Sequence, residues 1–230
     1  MSVKWVIGTA INSKFFIQAQ QMLYTIQGNL PIGTIVLVLD NGMTEKQKKI
    51  LVNYFGFVNF IFFKRDLTTY ERQSYYFKSI IHKIALEKYK DCVYIWLDSK
   101  TNLKYDENKL LGLLAQQPVY SHVAFPQTER LWTDKRTLDL MEISEEDRET
   151  GQFQASAMLF DLRNPRGIQF LEELIRLNDN RDILAPEGSV KGFTPPTHRQ
   201  DQSVFSCLLK KFKFTNNDYV WAIMHQTLFF

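Results

Sequence analysis

The stretch GTIVLVLD at residues 33–40 is a continuous apolar run with several β-branched side chains, and it ends at Asp40. Such a run is typical of a strand that is buried on both faces of a parallel sheet. The stretch CVYIWLD at residues 92–98 has the same character and ends at Asp98. Open sheets of this kind bind their ligands at the carboxyl ends of the strands, so we expect both acidic residues to lie on that edge.

Apolar runs and amphipathic segments alternate through the N-terminal half. Residues 4–9 and 57–63 are strand-like, and helical spacing follows the first of these runs through Ile26. Thr44 is expected to cap a second helix, and residues 75–89 form an amphipathic third one. This β-α-β-α-β-α-β order predicts an α/β fold with an open, mainly parallel sheet flanked by helices and a Rossmann-like N-terminal half.

The rhythm is less regular after Asp98. The expected order is a helix at 109–115, a strand at 119–125, a charged polar segment at 127–151, a strand at 153–161, a helix at 165–178, a loop at 185–196 and a helix at 202–211. We expect Lys210 to be solvated, at a helix end that runs into a short strand. Trp132 is a large apolar side chain in the polar segment, and it suggests a loop that faces the acceptor molecule of a transfer reaction. His82 is expected to be structural.

Length and composition predict one domain over residues 1–230, because the 230 residues are 45% hydrophobic and can bury one substantial core. The 28 basic and 25 acidic residues are scattered, so nucleic acid is not an expected partner. Cys92 and Cys207 both sit in apolar runs, which argues against a disulfide framework. We see neither a signal peptide nor a membrane span, and we predict a cytoplasmic protein.

The segment Asp98-Ser99-Lys100 is the first candidate for chemistry. An enzyme that releases a diphosphate needs positive charge at this edge, usually a divalent cation held by carboxylates. Lys100 stands where a second carboxylate would be expected, and residues two apart in an extended segment project to the same side. Either the Lys100 ammonium replaces part of the metal's charge, or Asp98 binds sugar hydroxyls. The alternative is a surface ion pair between Asp98 and Lys100.

The run His198-Arg199-Gln200-Asp201-Gln202-Ser203 is the second candidate, just before an apolar helix. A helix N-terminus together with Arg199 makes an anion site, and Asp201 could then face a sugar or an acceptor hydroxyl. Asp201 is the leading candidate for a catalytic carboxylate. The alternative is that Asp201 only caps the helix and that His198 is a loop histidine with both ring nitrogens satisfied.

Taken together, five motifs resemble those of the GT-A type glycosyltransferases, whose sheet is mixed. They are similar to a largely uncharacterised branch that carries W-L-D-S and H-R-x-D-Q-S. The resemblance covers most of the chain in the right order, and the final motif is the most specific. The motifs are LDNGMT at 39–44, YFKS at 76–79, WLDS at 96–99, QASAMLF at 154–160 and HRQDQS at 198–203.

This resemblance implies a nucleotide-diphosphate sugar bound by about residues 1–100, and a glycan or protein acceptor bound mainly by about residues 101–230. It puts Asp98 at the metal or sugar position. Lys100 and Gln154 replace acidic residues of the family, which argues against a Mn²⁺ or Mg²⁺ site. The residues that it assigns to the donor are Gly8, Thr9 and Ala10 near the base or ribose, Asp40 near the base, Lys78 near the diphosphate, and Ser99, Lys100, His198, Arg199 and Gln202.

Two other functions remain open at this stage. A catalytically silent module could keep the fold and bind sugar nucleotides or glycans without turnover. A nucleotidyltransferase could use a related sheet, but Gly8-Thr9-Ala10-Ile11-Asn12 has a single glycine and is not a Gly-rich phosphate loop. The sequence therefore favours a glycosyltransferase with Asp201 and Asp98 as its central carboxylates.

Overall fold

A computed structural model describes residues 3–190, 194–214 and 223–225. Its strands are β1 (Lys4–Ile11), β2 (Ile35–Asp40), β3 (Asn59–Lys64), β4 (Cys92–Leu97), β5 (Thr101–Leu103), β6 (Val119–Tyr120), β7 (Val123–Thr128), β8 (Gly151–Phe153), β9 (Ala157–Asp161) and β10 (Ile223–His225). Its α-helices are α1 (Phe16–Asn29), α2 (Glu45–Tyr54), α3 (Thr69–Gln73), α4 (Phe77–Lys88), α5 (Glu107–Leu114), α6 (Glu129–Trp132), α7 (Lys135–Leu140), α8 (Glu145–Arg148), α9 (Pro165–Asp179), α10 (Arg181–Leu184) and α11 (Asp201–Lys211).

A six-stranded mixed sheet forms the centre of the fold, in the order β3-β2-β1-β4-β9-β6. The first four of these strands are parallel, while β9 runs antiparallel to both β4 and β6. Strands β5 and β10 form one small sheet, and β7 and β8 form another. The predicted α/β class and the mainly parallel, mixed sheet are confirmed, and Asp40 and Asp98 both lie at the carboxyl edge of parallel strands.

Helices cover both faces of the central sheet because its inner strands are apolar on both sides. Helices α4, α9 and α11 pack on one face, and we call this the site face. Helices α1, α2 and α5 pack on the opposite face. Thr44 caps α2 in a reciprocal capping box with Gln47, as its position in the sequence predicts. No helix in the described part of the chain is long and apolar enough to cross a membrane.

Several predicted boundaries were wrong. Strand β1 continues to Ile11, the single strand expected at 153–161 is divided between two sheets, and the strand expected at 119–125 is divided between β6 and β7. The polar segment at 127–151 contains three short helices, α6, α7 and α8. Residues 191–193 of the expected loop lie outside the described residues.

The end of α11 also differs from its prediction. Lys210 is buried rather than solvated, because its ammonium pairs with the buried carboxylate of Glu129 at 2.7 Å. Residues 212–214, the described residues directly after the helix, do not form the short strand that we expected, and Phe214 packs into the core instead.

Gly8 is required by packing within the site face. A Cβ atom at this position would lie 2.4 Å from the Tyr94 hydroxyl and 2.9 Å from a methyl group of Ile81. We expect Gly8→Ala to lower the free energy of unfolding by about 1–3 kcal/mol, because overpacking displaces these neighbours. Urea denaturation measures the change. Tyr94→Phe should restore part of the stability of Gly8→Ala, whereas equal losses in both backgrounds would contradict this account.

His82 has the structural role that the sequence suggests. Its Nδ1 lies 2.8 Å from the Tyr94 hydroxyl, and its ring packs edge-on against Tyr94, Trp96 and Phe160. Burial, helped by the positive charge of Lys78, lowers the pKa of His82 from 6.5 to about 3. Between these values the unfolded chain binds more protons than the folded protein, so stability falls as the pH falls.

We therefore expect an acid-sensitive stability that depends on His82. As pH decreases below 6.5, this group should lower the free energy of unfolding by up to about 1.4 kcal/mol per pH unit. Urea denaturation of the wild type and His82→Gln between about pH 4.5 and 7 measures the two slopes. The variant should show a shallower slope, and identical slopes would show that His82 is not the group responsible.

Candidate active site

Three side chains of the predicted site meet on the site face, at the carboxyl edge of the central sheet. Lys78 lies in the first turn of α4, Asp98 follows β4, and Asp201 begins α11. The Lys78 Nζ atom lies 3.1 Å from Asp98 Oδ1 and 2.8 Å from Asp201 Oδ2. It also donates a 2.8 Å hydrogen bond to the backbone carbonyl of Ala155. One ammonium group is therefore shared by two carboxylates and a peptide oxygen.

The electrostatics of this cluster follow from its burial. The Lys78 side chain is only 4% exposed, while that of Asp98 is 33% exposed. Burial by itself lowers the pKa of Lys78, but the charges of Asp201 and Asp98 outweigh it and the pKa is raised, so the amine stays protonated. Burial raises the pKa of Asp201, with a further contribution from Asp98, against the opposing effect of Lys78. Asp98 is thus the accessible carboxylate, and Asp201 is the buried one.

The segment after β4 is a turn rather than the extended chain that we expected. The Thr101 amide donates to the Asp98 carbonyl at 2.8 Å, and Ser99 is buried within the turn. Lys100 is exposed, and its Nζ lies 4.4 Å from the centre of the Phe15 ring. The predicted same-side projection and the alternative ion pair with Asp98 were both wrong, because the turn directs Lys100 away. Asp98 instead accepts a 2.8 Å hydrogen bond from the indole Nε1 of Trp96.

The H-R-x-D-Q-S run enters α11 through a constrained backbone. Gln200, directly before the helix, has φ 43° and ψ −116°, and its side chain does not cap α11. Asp201 is the first helical residue and pairs with Lys78, so the capping alternative was wrong. His198 is buried, with Nδ1 3.2 Å from the Asp134 amide and Nε2 2.9 Å from the Leu184 carbonyl. Both ring nitrogens face backbone groups, as the loop-histidine alternative predicts.

Arg199 and Gln202 lie on either side of Asp201 in the sequence, at the N-terminus of α11. The Arg199 guanidinium lies 5.5 Å from the centre of the Trp132 ring, and burial lowers its pKa. Gln202 donates a 2.8 Å hydrogen bond to the side-chain oxygen of Gln152. The Gln127 side-chain oxygen lies 3.5 Å from Arg199 Nη1 and 3.4 Å from Gln202 Nε2. These residues form a polar wall beside Asp201.

The remaining donor-binding candidates lie in or beside the strands. Side chains alternate along β1, and Gly8 and Ala10 lie on the site face, which places the buried Thr9 on the opposite face. Asp40 is buried at the end of β2, where it accepts hydrogen bonds from two amides of the following turn and pairs with Lys48 at 3.1 Å. Gly8, Thr9 and Asp40 are buried. Ala10 is half-buried and lies at the same edge of the sheet as Asp98.

The sequence did not reveal the buried polar network that supports α11. Glu129 is fully buried and accepts from Lys210 at 2.7 Å, from Thr133 at 2.7 Å and from Gln152 at 3.0 Å. Ser206 donates to the same carboxylate and also accepts the Phe153 amide at 2.7 Å. Glu129 and Lys210 are far apart in the chain, and each belongs to a charged stretch that is typical of an exposed surface. No local pattern could have found the pair.

A divalent cation does not fit this set of side chains. In the part of the chain that the structure describes, no three His, Cys, Asp or Glu side chains are grouped to hold a metal. The two carboxylates that do converge, Asp98 and Asp201, already share the Lys78 ammonium. A cation bound between them would have to displace a buried positive charge.

Comparison with known proteins identifies the fold. No protein-family model and no curated protein sequence matches the chain. Among solved structures, it is similar to the bifunctional glycosyltransferase WbbM, with 16% identity and TM-score 0.60, over 90% of this chain and 38% of that one. It is similar to the glycosyltransferase GlyE of Streptococcus pneumoniae TIGR4, with 13% identity and TM-score 0.51, over 91% and 44% of the two chains. Mouse xyloside xylosyltransferase 1 matches with 14% identity and TM-score 0.51, over 91% and 82%.

The chain thus spans less than half the length of the first two of these proteins. At identities below 20%, the likeness concerns the fold. All three structures are glycosyltransferases, and each aligns with about nine-tenths of this chain. The mixed sheet with its flanking helices therefore has the GT-A type glycosyltransferase fold.

Proposed function

We propose that this protein transfers a sugar from a nucleotide-diphosphate donor to a hydroxyl group of a glycan or protein. The observation that carries the proposal is the convergence of Asp98, Lys78 and Asp201 at the carboxyl edge of the sheet. Open α/β sheets bind ligands at this edge. Two carboxylates that meet an ammonium there, in a fold shared with glycosyltransferases, are suited to sugar hydroxyls and a charged leaving group.

The donor would lie along the edge between β1 and β4. Asp98 is the accessible, partly buried carboxylate at this edge and would accept hydrogen bonds from donor sugar hydroxyls. Lys78 and Arg199 would offset the charge of the diphosphate as it leaves. Ala10 would lie beside the nucleotide, because it is the half-buried β1 side chain on the site face.

Asp201 would assist the acceptor. In the reaction, the bond between the anomeric carbon and the phosphate oxygen breaks, an acceptor oxygen bonds to that carbon, and the acceptor hydroxyl loses its proton. A carboxylate that lies deep in the site can orient that hydroxyl or accept its proton. Burial raises the pKa of Asp201, which makes it a better proton acceptor than an ordinary aspartate. The polar wall beside Asp201, which includes Arg199, Gln202 and Gln127, would contact the acceptor together with the Trp132 ring.

One observation favours the alternative of a binding module without turnover. Asp98 and Asp201 both pair with Lys78, so neither carboxylate is without a charge partner. Lys78 opposes the rise in the pKa of Asp201, so this pairing makes Asp201 a weaker proton acceptor than burial alone would make it. The two functions differ in one measurable property, because a silent module binds the donor but does not release nucleoside diphosphate.

Replacing Asp201 should strongly reduce turnover. We expect Asp201→Asn to lower kcat by about 10²- to 10⁴-fold, because the amide keeps the shape but cannot accept a proton. Release of nucleoside diphosphate from a panel of nucleotide sugars, with and without sugar acceptors, measures the effect. The exposed Asp66→Asn provides the matched control and should leave the rate unchanged.

Nucleoside diphosphate release, together with thermal stabilisation of the protein by the donor, distinguishes three outcomes. Turnover that is lost in Asp201→Asn supports glycosyl transfer. Thermal stabilisation of the wild type by a donor, without turnover for any acceptor, supports the silent module. Neither stabilisation nor turnover with any nucleotide sugar would refute the proposed donor class.

Replacing Asp98 should weaken donor binding instead. Asp98→Asn removes the accessible charge but keeps an oxygen that can accept from the Trp96 indole. We expect the donor KM to rise about tenfold, corresponding to the loss of about 1.4 kcal/mol from a charge-assisted hydrogen bond to the sugar. Initial rates at varied donor concentration test this, and an unchanged KM would remove Asp98 from the donor site.

A further inference from the structure

The oxygen atoms around Lys78 resemble the ligand set of a metal ion. Asp98 Oδ1, Asp201 Oδ2 and the Ala155 carbonyl oxygen lie 3.1, 2.8 and 2.8 Å from Nζ. Carboxylate and carbonyl oxygens are the ligands that Mg²⁺ and Mn²⁺ prefer. The three distances are those of hydrogen bonds to an ammonium nitrogen. They are longer than the distance of about 2.0–2.1 Å between Mg²⁺ and its oxygen ligands.

The position of the ammonium is set by the fold. Lys78 lies in the first turn of α4, and its Nζ is 5.5 Å from the centre of the Trp96 ring and 5.6 Å from that of Tyr75. The two rings and the three oxygen atoms enclose the charge, so the side chain is almost completely buried. Lys100, two residues after Asp98, is exposed, and its ammonium lies over the ring of Phe15.

We propose that the Lys78 ammonium occupies a latent divalent-cation site and supplies there the fixed positive charge of a metal. The two carboxylates are held at their separation by the ammonium, and the protein needs no Mn²⁺ or Mg²⁺ to keep them together. Removing the lysine side chain uncovers three oxygen ligands around one point and creates a cation site. The catalytic part of this inference, transfer without a metal, rests on the proposed function, whereas the cation-binding part does not.

The test compares Mn²⁺ binding by the wild type and by Lys78→Ala, without any nucleotide. Thermal unfolding and calorimetric titration with MnCl₂ are the two readouts. We expect no saturable response from the wild type. Lys78→Ala should have a lower Tm that rises saturably with Mn²⁺, and its Kd should lie at least about tenfold below the highest Mn²⁺ concentration at which the wild type shows no saturation, or 1.4 kcal/mol in binding free energy.

Three control variants separate a specific site from general effects. Lys83→Ala removes an exposed lysine from the same helix and should behave as the wild type. Lys78→Met removes the charge but fills the space, so it should not respond to Mn²⁺. The double variant Lys78→Ala/Asp98→Asn removes one ligand and should lose the response of Lys78→Ala.

Two results would overturn the proposal. One is saturable Mn²⁺ binding by the wild type with an affinity equal to that of Lys78→Ala. The other is a folded Lys78→Ala protein, judged by circular dichroism, that shows no response to Mn²⁺. If Lys78→Ala does not fold without metal, recovery of its native spectrum on refolding with Mn²⁺ supports the proposal, and failure to recover while Lys78→Met folds counts against it.

An activity measurement tests the catalytic part separately. Donor turnover by the wild type should be the same in EDTA and in MnCl₂, because Lys78 already provides the charge. Loss of turnover in EDTA would contradict metal-independent transfer. Absence of turnover under both conditions would reject the proposed function, while the Mn²⁺ titrations of Lys78→Ala would still decide the cation-binding part.

Discussion

A single buried ammonium group joins three segments of the chain at the carboxyl edge of the central sheet. Lys78 brings its charge from α4 to the point where Asp98 leaves β4, Ala155 precedes β9 and Asp201 begins α11. An unpaired buried ammonium costs several kcal/mol, and so does an unpaired buried carboxylate. These segments therefore have to arrive together, and the site cannot form unless the surrounding fold is complete.

Helix α11 depends on buried charge at both of its ends. Asp201 pairs with Lys78 at the N-terminus, and Lys210 pairs with Glu129 at the C-terminus. Each charge has the sign that the helix dipole favours at its end. Residues 201–210 are all buried, so the helix has no solvent-facing side over this length and its polar groups must find partners within the protein. The network of Glu129 and Gln152 satisfies these groups and fixes the position of the H-R-x-D-Q-S run.

Prediction succeeded where the signal was local and failed where partners were distant in the chain. Strand ends placed Asp40 and Asp98 at one edge correctly, because parallel strands share their carboxyl ends. The predicted direction of Lys100 was wrong because the chain forms a tight turn after Asp98, whereas the prediction assumed an extended segment. The prediction that Lys210 is solvated was wrong because a charged partner 81 residues away leaves no trace in local periodicity.

By itself, the sequence determined the fold class and the order of the N-terminal strands and helices, and it predicted Asp98 and Asp201 as the two carboxylates of the candidate site. These follow from apolar periodicity and from motifs a few residues long, which are local features of the sequence. Only the tertiary structure decided that both carboxylates share Lys78, whereas the Lys100 ammonium lies over the Phe15 ring. Charge pairing depends on distances of about 3 Å between atoms that the chain brings together only when the core has packed.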